Sequence, residues 1–574
     1  MAEMTLEQAT LRLTAVGGPF EMETRVIRGV PTRTWKHAPN NLREIFVGIR
    51  SFADRTYLVY EDERLTYSEV YQQVVKLAHL LVTDYAVQKG DRIAIAMRNY
   101  PEWPICFWAA AISGAVVVPL NAWWTGSELE YGLADSGSRI LFADEQRMHA
   151  LTDYYQQLQL DAVFAVRSQT PLPEHVKGLH ACLAQVSNEV ELPDVALLPE
   201  DDATIFYTSG TTGKPKGALG TQRNICTNLT SLQFSGARSL LRRGEPVPAL
   251  DGPGKSSPPQ LAPLLSVPFF HATGCHSTLI ANTAAGNKLV MMYKWDPERA
   301  MELIERERIT SFGGVPSMVW QVLESPAFGA HDLSSIQSIG YGGAPAAPEL
   351  VTRIKESFPL VSSSNGYGLT ETSSLTTSNA GLDYQRKPDS VGVPVPVCEL
   401  KLMASNGASQ VPQGEVGELW IKGPNVVKGY WHKPEATAQT FTNGWLHSGD
   451  LAKIDDEGFF YIVDRAKDML IRGGENIYCV EVENALYQHP NVMDCTVVGV
   501  PHKILGEEVG TVIQLTPGAH LTAEGLQAFL RENLAGFMIP QYFLFKSEPL
   551  ARNANGKILK SQARNELLAS LEVD

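Results

Sequence analysis

The sequence predicts an α/β protein with a large layered N-terminal body and a small α+β C-terminal lid. Three observations lead to this prediction. At 574 residues the chain exceeds what one hydrophobic core usually supports, so we expect at least two domains. Over the first four-fifths of the chain, short apolar runs typical of strands alternate with stretches typical of helices. Near residues 463–468 this alternation ends, and a shorter, compact unit follows.

The predicted strands of the body are short apolar runs, each followed by a polar or glycine-containing segment. They are Arg92–Met97, Ala115–Leu120, Ala203–Tyr207, Leu264–Phe269 and Lys288–Met292. The most apolar segment, Ile105–Leu120, is shorter than the ~20 residues that cross a bilayer. We therefore expect a buried helix that leads into a buried strand, and no transmembrane segment.

The C-terminal unit has its own strand and helix pattern. A strand pair is predicted at Thr496–Val500 and Val512–Leu515. A helix is predicted to begin near Thr522, with apolar residues on one face: Leu526, Phe529, Leu530 and Leu534. These patterns place the predicted domains at residues 1–464 and 465–574.

Composition and charge exclude several classes of protein. The formal net charge of -15 argues against nucleic acid as a partner, because phosphate backbones are bound by clustered Lys and Arg. The seven cysteines are scattered without a CxxC pair, which indicates neither a disulfide framework nor a zinc site. No secretory signal is apparent at the N-terminus. We expect a cytoplasmic protein; peripheral membrane association and the oligomeric state stay open.

The segment Tyr207–Gly217 is the most informative part of the sequence. It follows the predicted strand Ala203–Tyr207, and its glycines, hydroxyl side chains and lysines are suited to holding an anion at a strand end. It is not a Walker loop, because only two residues separate Gly210 from Gly213 and Pro215 stands where the magnesium-binding hydroxyl would be. The segment therefore predicts a different kind of phosphate loop.

The pattern of Tyr207–Gly217 resembles that of the acyl-adenylate-forming enzymes, which include acyl-CoA synthetases, peptide-synthetase adenylation domains and beetle luciferases. Further motifs occur in the family's order between Leu42 and Leu567. The resemblance implies that ATP is bound by Thr208, Ser209, Gly210, Thr211, Thr212, Gly213, Lys214, Gly343, Ala344, Pro345, Asn365, Gly366, Tyr367, Gly368, Thr370, Asp450, Ile462, Arg465 and Lys557.

The resemblance also implies individual roles. Within Asn365–Glu371, Tyr367 would stack on adenine, Thr370 would donate to the α-phosphate and Glu371 would hold Mg²⁺. Asp450 would accept from the ribose hydroxyls. Lys557 would bridge the substrate carboxylate and the α-phosphate, and the C-terminal lid would be mobile about a hinge at Lys467.

Two further sets of residues concern the acyl group and the thiol. In the family, a glycine-containing turn lets a pantetheine arm pass close to the backbone. The residues that match this turn are Arg472, Gly473, Gly474 and Glu475. His271 matches a residue on the acyl and thiol side, although a lone histidine beside two phenylalanines is also typical of a core. Gly368 stands where acetate-type members carry a tryptophan. We expect it to leave an open acyl tunnel, or else to serve only as a close-approach glycine.

Together the motifs predict an ATP-dependent acyl-CoA ligase that uses ATP, Mg²⁺ and coenzyme A. The expected substrate is a medium- or long-chain fatty acid, activated as acyl-AMP with release of pyrophosphate. The alternative is a stand-alone adenylating enzyme that loads a carrier protein or acts on an aryl acid. Luciferase chemistry shares the same motifs. A non-catalytic nucleotide-binding regulator would be expected to lack Lys557 or Glu371, and both are present.

Overall fold

The structure is a computed structural model that describes residues 3–208, 214–247, 259–343, 348–553 and 556–571. It has the predicted α/β fold, with a large body and a smaller C-terminal unit. The helices are Leu6–Leu13, Leu42–Gly48, Tyr67–Thr83, Glu102–Ile112, Gly126–Ser136, Glu145–Ala150, Leu179–Gln185, Gln222–Arg242, Ala281–Ala285, Pro297–Glu307, Pro316–Leu323, Pro348–Ser357, Leu382–Arg386, Pro434–Thr440, Cys479–Tyr487, Ala523–Leu530 and Lys560–Leu571.

A seven-stranded sheet forms the first layer of the body. Its strands in order are Lys216–Thr221, Asp202–Thr208, Val116–Pro119, Arg92–Ala96, Ile140–Asp144, Ala162–Val166 and Val176–Gly178. All neighbouring pairs are parallel except the first, in which Thr208 lies opposite Lys216. The predicted phosphate loop therefore connects the two strands of an antiparallel pair. The apolar helix Glu102–Ile112 is buried along its whole length, as predicted.

Two further sheets complete the core of the body. One contains Leu264–Leu265, Leu289–Met291, Thr56–Tyr60 and Glu63–Thr66, and the other contains Ser311–Gly314, Ser338–Gly342, Ser362–Tyr367, Thr377–Ala380 and Val393–Pro394. The strand predicted at Leu264–Phe269 ends at Leu265. Pro268 has no amide hydrogen for a ladder, and the Phe269 amide donates instead to Asn99 Oδ1 at 3.0 Å.

An antiparallel sheet closes the body next to the C-terminal unit. It contains Glu399–Met403, Gly417–Lys422, Phe441–Thr442, Trp445–Ile454 and Phe460–Arg465. The small sheet Met22–Ile27 and Val30–Trp35 lies at the N-terminus. The strand Phe460–Arg465 is the last element of the body sheets, and Leu470–Arg472 is the first strand of the next unit.

The C-terminal unit is a five-stranded sheet with its own apolar core. Its strands are Glu475–Ile477, Leu470–Arg472, Gly506–Leu515, Val492–His502 and Tyr542–Lys546. The predicted helix spans Ala523–Leu530, and the Thr522 side chain accepts from the Gly525 amide as the N-cap. Leu526 and Leu530 are fully buried and Phe529 and Leu534 pack beside them.

Two other sequence expectations can be compared with the structure. No described helix is long and apolar enough to cross a membrane. All seven cysteines are free, and six of them are buried. This agrees with the absence of a disulfide framework in the sequence pattern.

Candidate active site

A cavity of about 1890 Å³ lies between the body and the C-terminal unit. It opens where Asp202–Thr208, Ser338–Gly342 and Ser362–Tyr367 end, at the carboxyl edges of their sheets. Most of the described residues that the motifs single out line it: Thr208, His271, Gly343, Asn365, Gly366, Tyr367, Gly368, Thr370, Glu371, Asp450, Arg465, Lys467 and Lys557. Motifs separated by more than 300 residues therefore share one site.

Lys557 reaches this cavity from the C-terminal unit. Its amide donates to Asn553 Oδ1 at 3.0 Å, and its carbonyl accepts from the Asn553 amide at 2.8 Å, which closes a tight turn. Within that turn Gly556 has φ +74°, and a Cβ there would lie 2.8 Å from Val315 Cγ2. A glycine is needed because the turn is left-handed and packs against the body.

Burial lowers the pKa of the Lys557 ammonium to about 8, and the neighbouring charges of Arg465 and Lys467 act in the same direction. The carboxylates of Asp450 and Glu371 oppose this effect. The lysine is thus half-buried, with two cations and two anions near it in the cavity. The attraction between these cationic side chains and a polyanionic ligand would be stronger than in bulk water, because the local dielectric constant is lower.

Asp450 is positioned by strand register. It lies directly opposite Arg465 in the antiparallel pair Trp445–Ile454 and Phe460–Arg465. Arg465 Nε lies 3.2 Å from Asp450 Oδ1, and the Tyr367 hydroxyl donates to Asp450 Oδ2 at 2.6 Å. The Asp450 side chain is only 4% exposed. A buried carboxylate with two fixed donors can serve as a rigid acceptor for ligand hydroxyls.

Glu371 lies in the 3₁₀ turn Thr370–Thr372 on the cavity wall. Its Oε1 accepts from the Tyr430 hydroxyl at 2.8 Å. The described residues contain no group of three His, Cys, Asp or Glu side chains that could hold a metal. A single carboxylate beside a phosphate-binding region fits Mg²⁺, which is bound through one or two carboxylates together with substrate phosphates.

His271 lies on the cavity wall next to Phe270, two residues before the start of the π-helix Thr273–Ile280. Burial, assisted by the charge of Lys557, lowers the pKa of His271 to about 3. Its Nε2 is buried and has no hydrogen-bond partner in the described part of the chain. The imidazole is therefore neutral at physiological pH, with one ring nitrogen available to a ligand.

The geometry at Gly368 contradicts the inference of an open tunnel at that position. A Cβ added there would lie 1.4 Å from the carbonyl oxygen of Ser374, so any side chain would point into the backbone and not into free space. Gly368 lines the cavity through its main chain. Glycine is needed at this position because the backbone of Ser374 comes close to it, and Gly368 therefore gives no information on the length of the acyl site.

Some residues named from the sequence are not part of this wall. Ile462 packs against an apolar cluster of the body, and the Lys214 ammonium lies 5.1 Å from the centre of the Tyr131 ring. Arg472 forms an ion pair with Glu508, at the edge of the hairpin whose turn is Gly473-Gly474. Seven further residues named from the sequence lie outside the described residues: Ser209, Gly210, Thr211, Thr212, Gly213, Ala344 and Pro345.

Tyr430 is a site residue that the sequence did not reveal. Its hydroxyl orients Glu371, and the Lys216 ammonium lies 5.1 Å from the centre of its ring. Tyr430 is far from the recognised motifs in sequence, and an isolated tyrosine after a glycine gives no signal of its own. Only the tertiary structure brings it to Glu371.

Comparison with known proteins gives the family. The AMP-binding enzyme family matches residues 47–431, and the AMP-binding enzyme C-terminal domain matches residues 481–557. The chain is 33% identical over 546 residues to the long-chain-fatty-acid–CoA ligase of Bacillus subtilis (strain 168), covering 90% of this chain and 92% of that protein. It is 34% identical over 501 residues to the feruloyl-CoA synthase of Amycolatopsis sp, covering 87% and 93%.

The fold is also similar to that of solved ligases. The crystal structure of the anthranilate CoA ligase AuaEII in complex with anthranoyl-AMP superimposes with a TM-score of 0.81 at 25% identity, covering 92% of this chain and 98% of that one. The sequence relatives exceed 30% identity over most of their length, and the family match spans more than half of the present sequence. This chain therefore belongs to the AMP-binding enzyme family.

Proposed function

We propose that the protein is an ATP-dependent acyl-CoA ligase, which activates a carboxylic acid as acyl-AMP and transfers the acyl group to coenzyme A. The observation that carries the proposal is the position of the Lys557 ammonium, in one cavity with Asp450, Arg465 and Glu371. The ligase names of the relatives support the same activity.

In the first half-reaction an oxygen of the substrate carboxylate attacks the α-phosphorus of ATP, and pyrophosphate leaves. Lys557 and Thr370 neutralise and orient the oxygens on which charge develops. Asp450 accepts from the ribose hydroxyls, and Tyr367 packs on the adenine. Mg²⁺ held by Glu371 would supply further neutralisation of the phosphate oxygens.

In the second half-reaction the thiol sulfur attacks the acyl carbon and AMP leaves. We propose domains at 1–464 and 465–574, with Lys467 as the hinge about which the C-terminal domain withdraws Lys557 and presents Arg472–Glu475. Gly473 and Gly474 have no side chains that could block a narrow pantetheine arm. Their φ values of +60° and +93° form a turn that suits glycine. The rotation would break the bond from the Cys479 amide to Asp464 Oδ2, at 2.6 Å, which crosses the hinge.

The acid is proposed to be a medium- or long-chain fatty acid, in line with the long-chain and medium-chain ligases among the relatives. An aryl acid is the second candidate, because the feruloyl-CoA synthase is equally similar. Pyrophosphate release over octanoate, hexadecanoate, benzoate and cinnamate, with and without coenzyme A, tests the proposal. Acid-dependent release that does not rise with coenzyme A would favour a carrier protein as acceptor, and no acid-dependent release would refute the activity.

We expect adenylation to be lost as pH rises through the Lys557 pKa of about 8. The ammonium is charged below that pH and neutral above it, so kcat/KM for pyrophosphate release should fall above about pH 8. Thioester formation from pre-made acyl-AMP should not fall over the same pH range, since a thiol becomes a better nucleophile as it loses its proton. In Lys557→Arg, which stays charged, the residual adenylation should lose this pH dependence. A fall at the same pH in the arginine variant would assign the titration to another group.

We expect Glu371→Gln to raise the magnesium concentration needed for half-maximal adenylation at least about tenfold, because a neutral amide is a poor ligand for a hard cation. The variant keeps an acceptor for the Tyr430 hydroxyl, so folding should be unaffected. The exposed Glu435 provides the control variant Glu435→Gln. An unchanged magnesium titration would make Glu371 a structural residue.

A further inference from the structure

The cavity continues past the nucleotide residues as a channel between a helix and a sheet. One wall is the end of helix Gln222–Arg242, and the other is the sheet formed by Ser311–Gly314, Ser338–Gly342, Ser362–Tyr367 and Thr377–Ala380. The total volume, about 1890 Å³, exceeds the ~300–1,000 Å³ typical of small-molecule pockets. A nucleotide alone therefore does not fill the cavity.

The sheet wall of this channel carries no side chain larger than serine in three successive rows. The register aligns Ser311, Ser338 and Ser362 in the first row, Gly313, Gly340, Ser364 and Ala380 in the second, and Gly342, Gly366 and Ser378 in the third. All ten residues line the cavity. The first and third rows are four positions apart along each strand. At about 3.3 Å per residue, the channel runs for roughly 13 Å along the sheet.

The helix wall faces these rows with a polar stripe. Ser235, Ser239 and Arg243 follow one another at intervals of four residues and line the channel over about 12 Å. Ser235 is 9% exposed, and its Oγ is buried without a hydrogen-bond partner in the described structure. A polar group of a ligand would give this hydroxyl the hydrogen bond that it lacks, whereas an alkyl chain would not.

Arg243 spans the distal end of the channel. Its Nη1 donates to Ser239 Oγ at 2.9 Å on the helix side and to Ser362 Oγ at 3.2 Å on the sheet side. Its Nε and Nη2 donate to the two carboxylate oxygens of Glu245 at 2.7 and 3.1 Å. Because Glu245 already balances the charge, this end suits a neutral polar group better than a second carboxylate.

From this wall we propose a substrate class: a carboxylic acid that carries a second, neutral hydrogen-bonding group, a hydroxyl or carbonyl, along its chain. Ser235 and the Ser239–Arg243–Ser362 bridge would pair that group while the small residues of the sheet accommodate the carbon skeleton. This inference rests on the proposed ligase activity. A plain fatty acid would fit the channel but would give the Ser235 hydroxyl no hydrogen-bond partner.

The test compares matched acids that differ in one hydroxyl: octanoate, decanoate, dodecanoate and tetradecanoate, each with its ω-hydroxy counterpart, and cinnamate with coumarate. The readout is the ratio of kcat/KM for the hydroxylated acid to that for the plain acid, in pyrophosphate release. We expect the ratio to reach about tenfold or more for at least one pair, which corresponds to one added hydrogen bond. We expect Ser235→Ala or Arg243→Met to bring it close to one.

Leu240→Ala is the matched control, since Leu240 lines the same channel with an apolar side chain. It should lower kcat/KM for both members of a pair while keeping their ratio. Plain acids used as well as, or better than, their hydroxylated partners in every pair would overturn the inference while leaving the ligase activity intact. If none of the acids supported pyrophosphate release, the proposed function itself would be refuted.

Discussion

Replacing Lys557 with alanine is expected to reduce acyl-AMP formation by at least about 10²–10³-fold, the range found when one preorganised charge-stabilising group is removed. The reason is its position: the ammonium lies in the cavity beside Asp450, Arg465 and Glu371. Acid-dependent exchange of pyrophosphate into ATP measures the first half-reaction. Formation of acyl-CoA from supplied acyl-AMP measures the second, and should stay near the wild-type rate because the proposed rotation withdraws the lysine in that step.

The exposed Lys503 of the same C-terminal unit provides the control, and Lys503→Ala should leave both rates unchanged. If Lys557→Ala slowed both half-reactions equally, Lys557 would not be restricted to one domain orientation. That outcome would refute the rotation about Lys467.

Asp450→Ala is expected to lower kcat/KM for ATP by about 10²–10³-fold. Removing the Asp450 carboxylate takes away the acceptor that lies 3.2 Å from Arg465 Nε and one of the two carboxylates near Lys557. The ribose would lose its acceptor at the same time. Steady-state kinetics with ATP varied at saturating acid measure the effect.

A nucleotide-binding role can be separated from a folding defect by two comparisons. Asp62→Asn changes an aspartate whose side chain is fully exposed and should behave like wild type. The thermal midpoint of Asp450→Ala should rise less with added ATP than that of the wild-type protein. An equal rise with ATP in both proteins would show that Asp450 does not contact the nucleotide.

The sequence predicted the fold class and most of the residues around the cavity because local signals carry that information. Buried strands appear as apolar runs, and the motifs place polar residues where those strands end. Lys557, Asp450, Arg465 and Glu371 come from separate motifs, and the structure brings them into one cavity. The predicted position of a residue agrees with the structure where that position depends on its neighbours in sequence.

The remaining features depend on tertiary geometry that no local pattern encodes. A Cβ at Gly368 would point at the carbonyl oxygen of Ser374, so this glycine gives no information on whether an acyl tunnel is open. Tyr430 reaches Glu371 only through folding. The small-residue wall arises from the register of four strands, and its serines and glycines are unremarkable when each strand is considered alone.

Oxygen transfer from the acid to AMP tests the proposed activity most directly. The acid is supplied with ¹⁸O in its carboxylate, together with ATP and coenzyme A, and the product nucleotide is analysed by mass spectrometry. If the carboxylate attacks the α-phosphorus, the AMP released with the thioester carries one ¹⁸O from the acid. Unlabelled AMP, or ADP as the nucleotide product, would contradict activation through an acyl-adenylate.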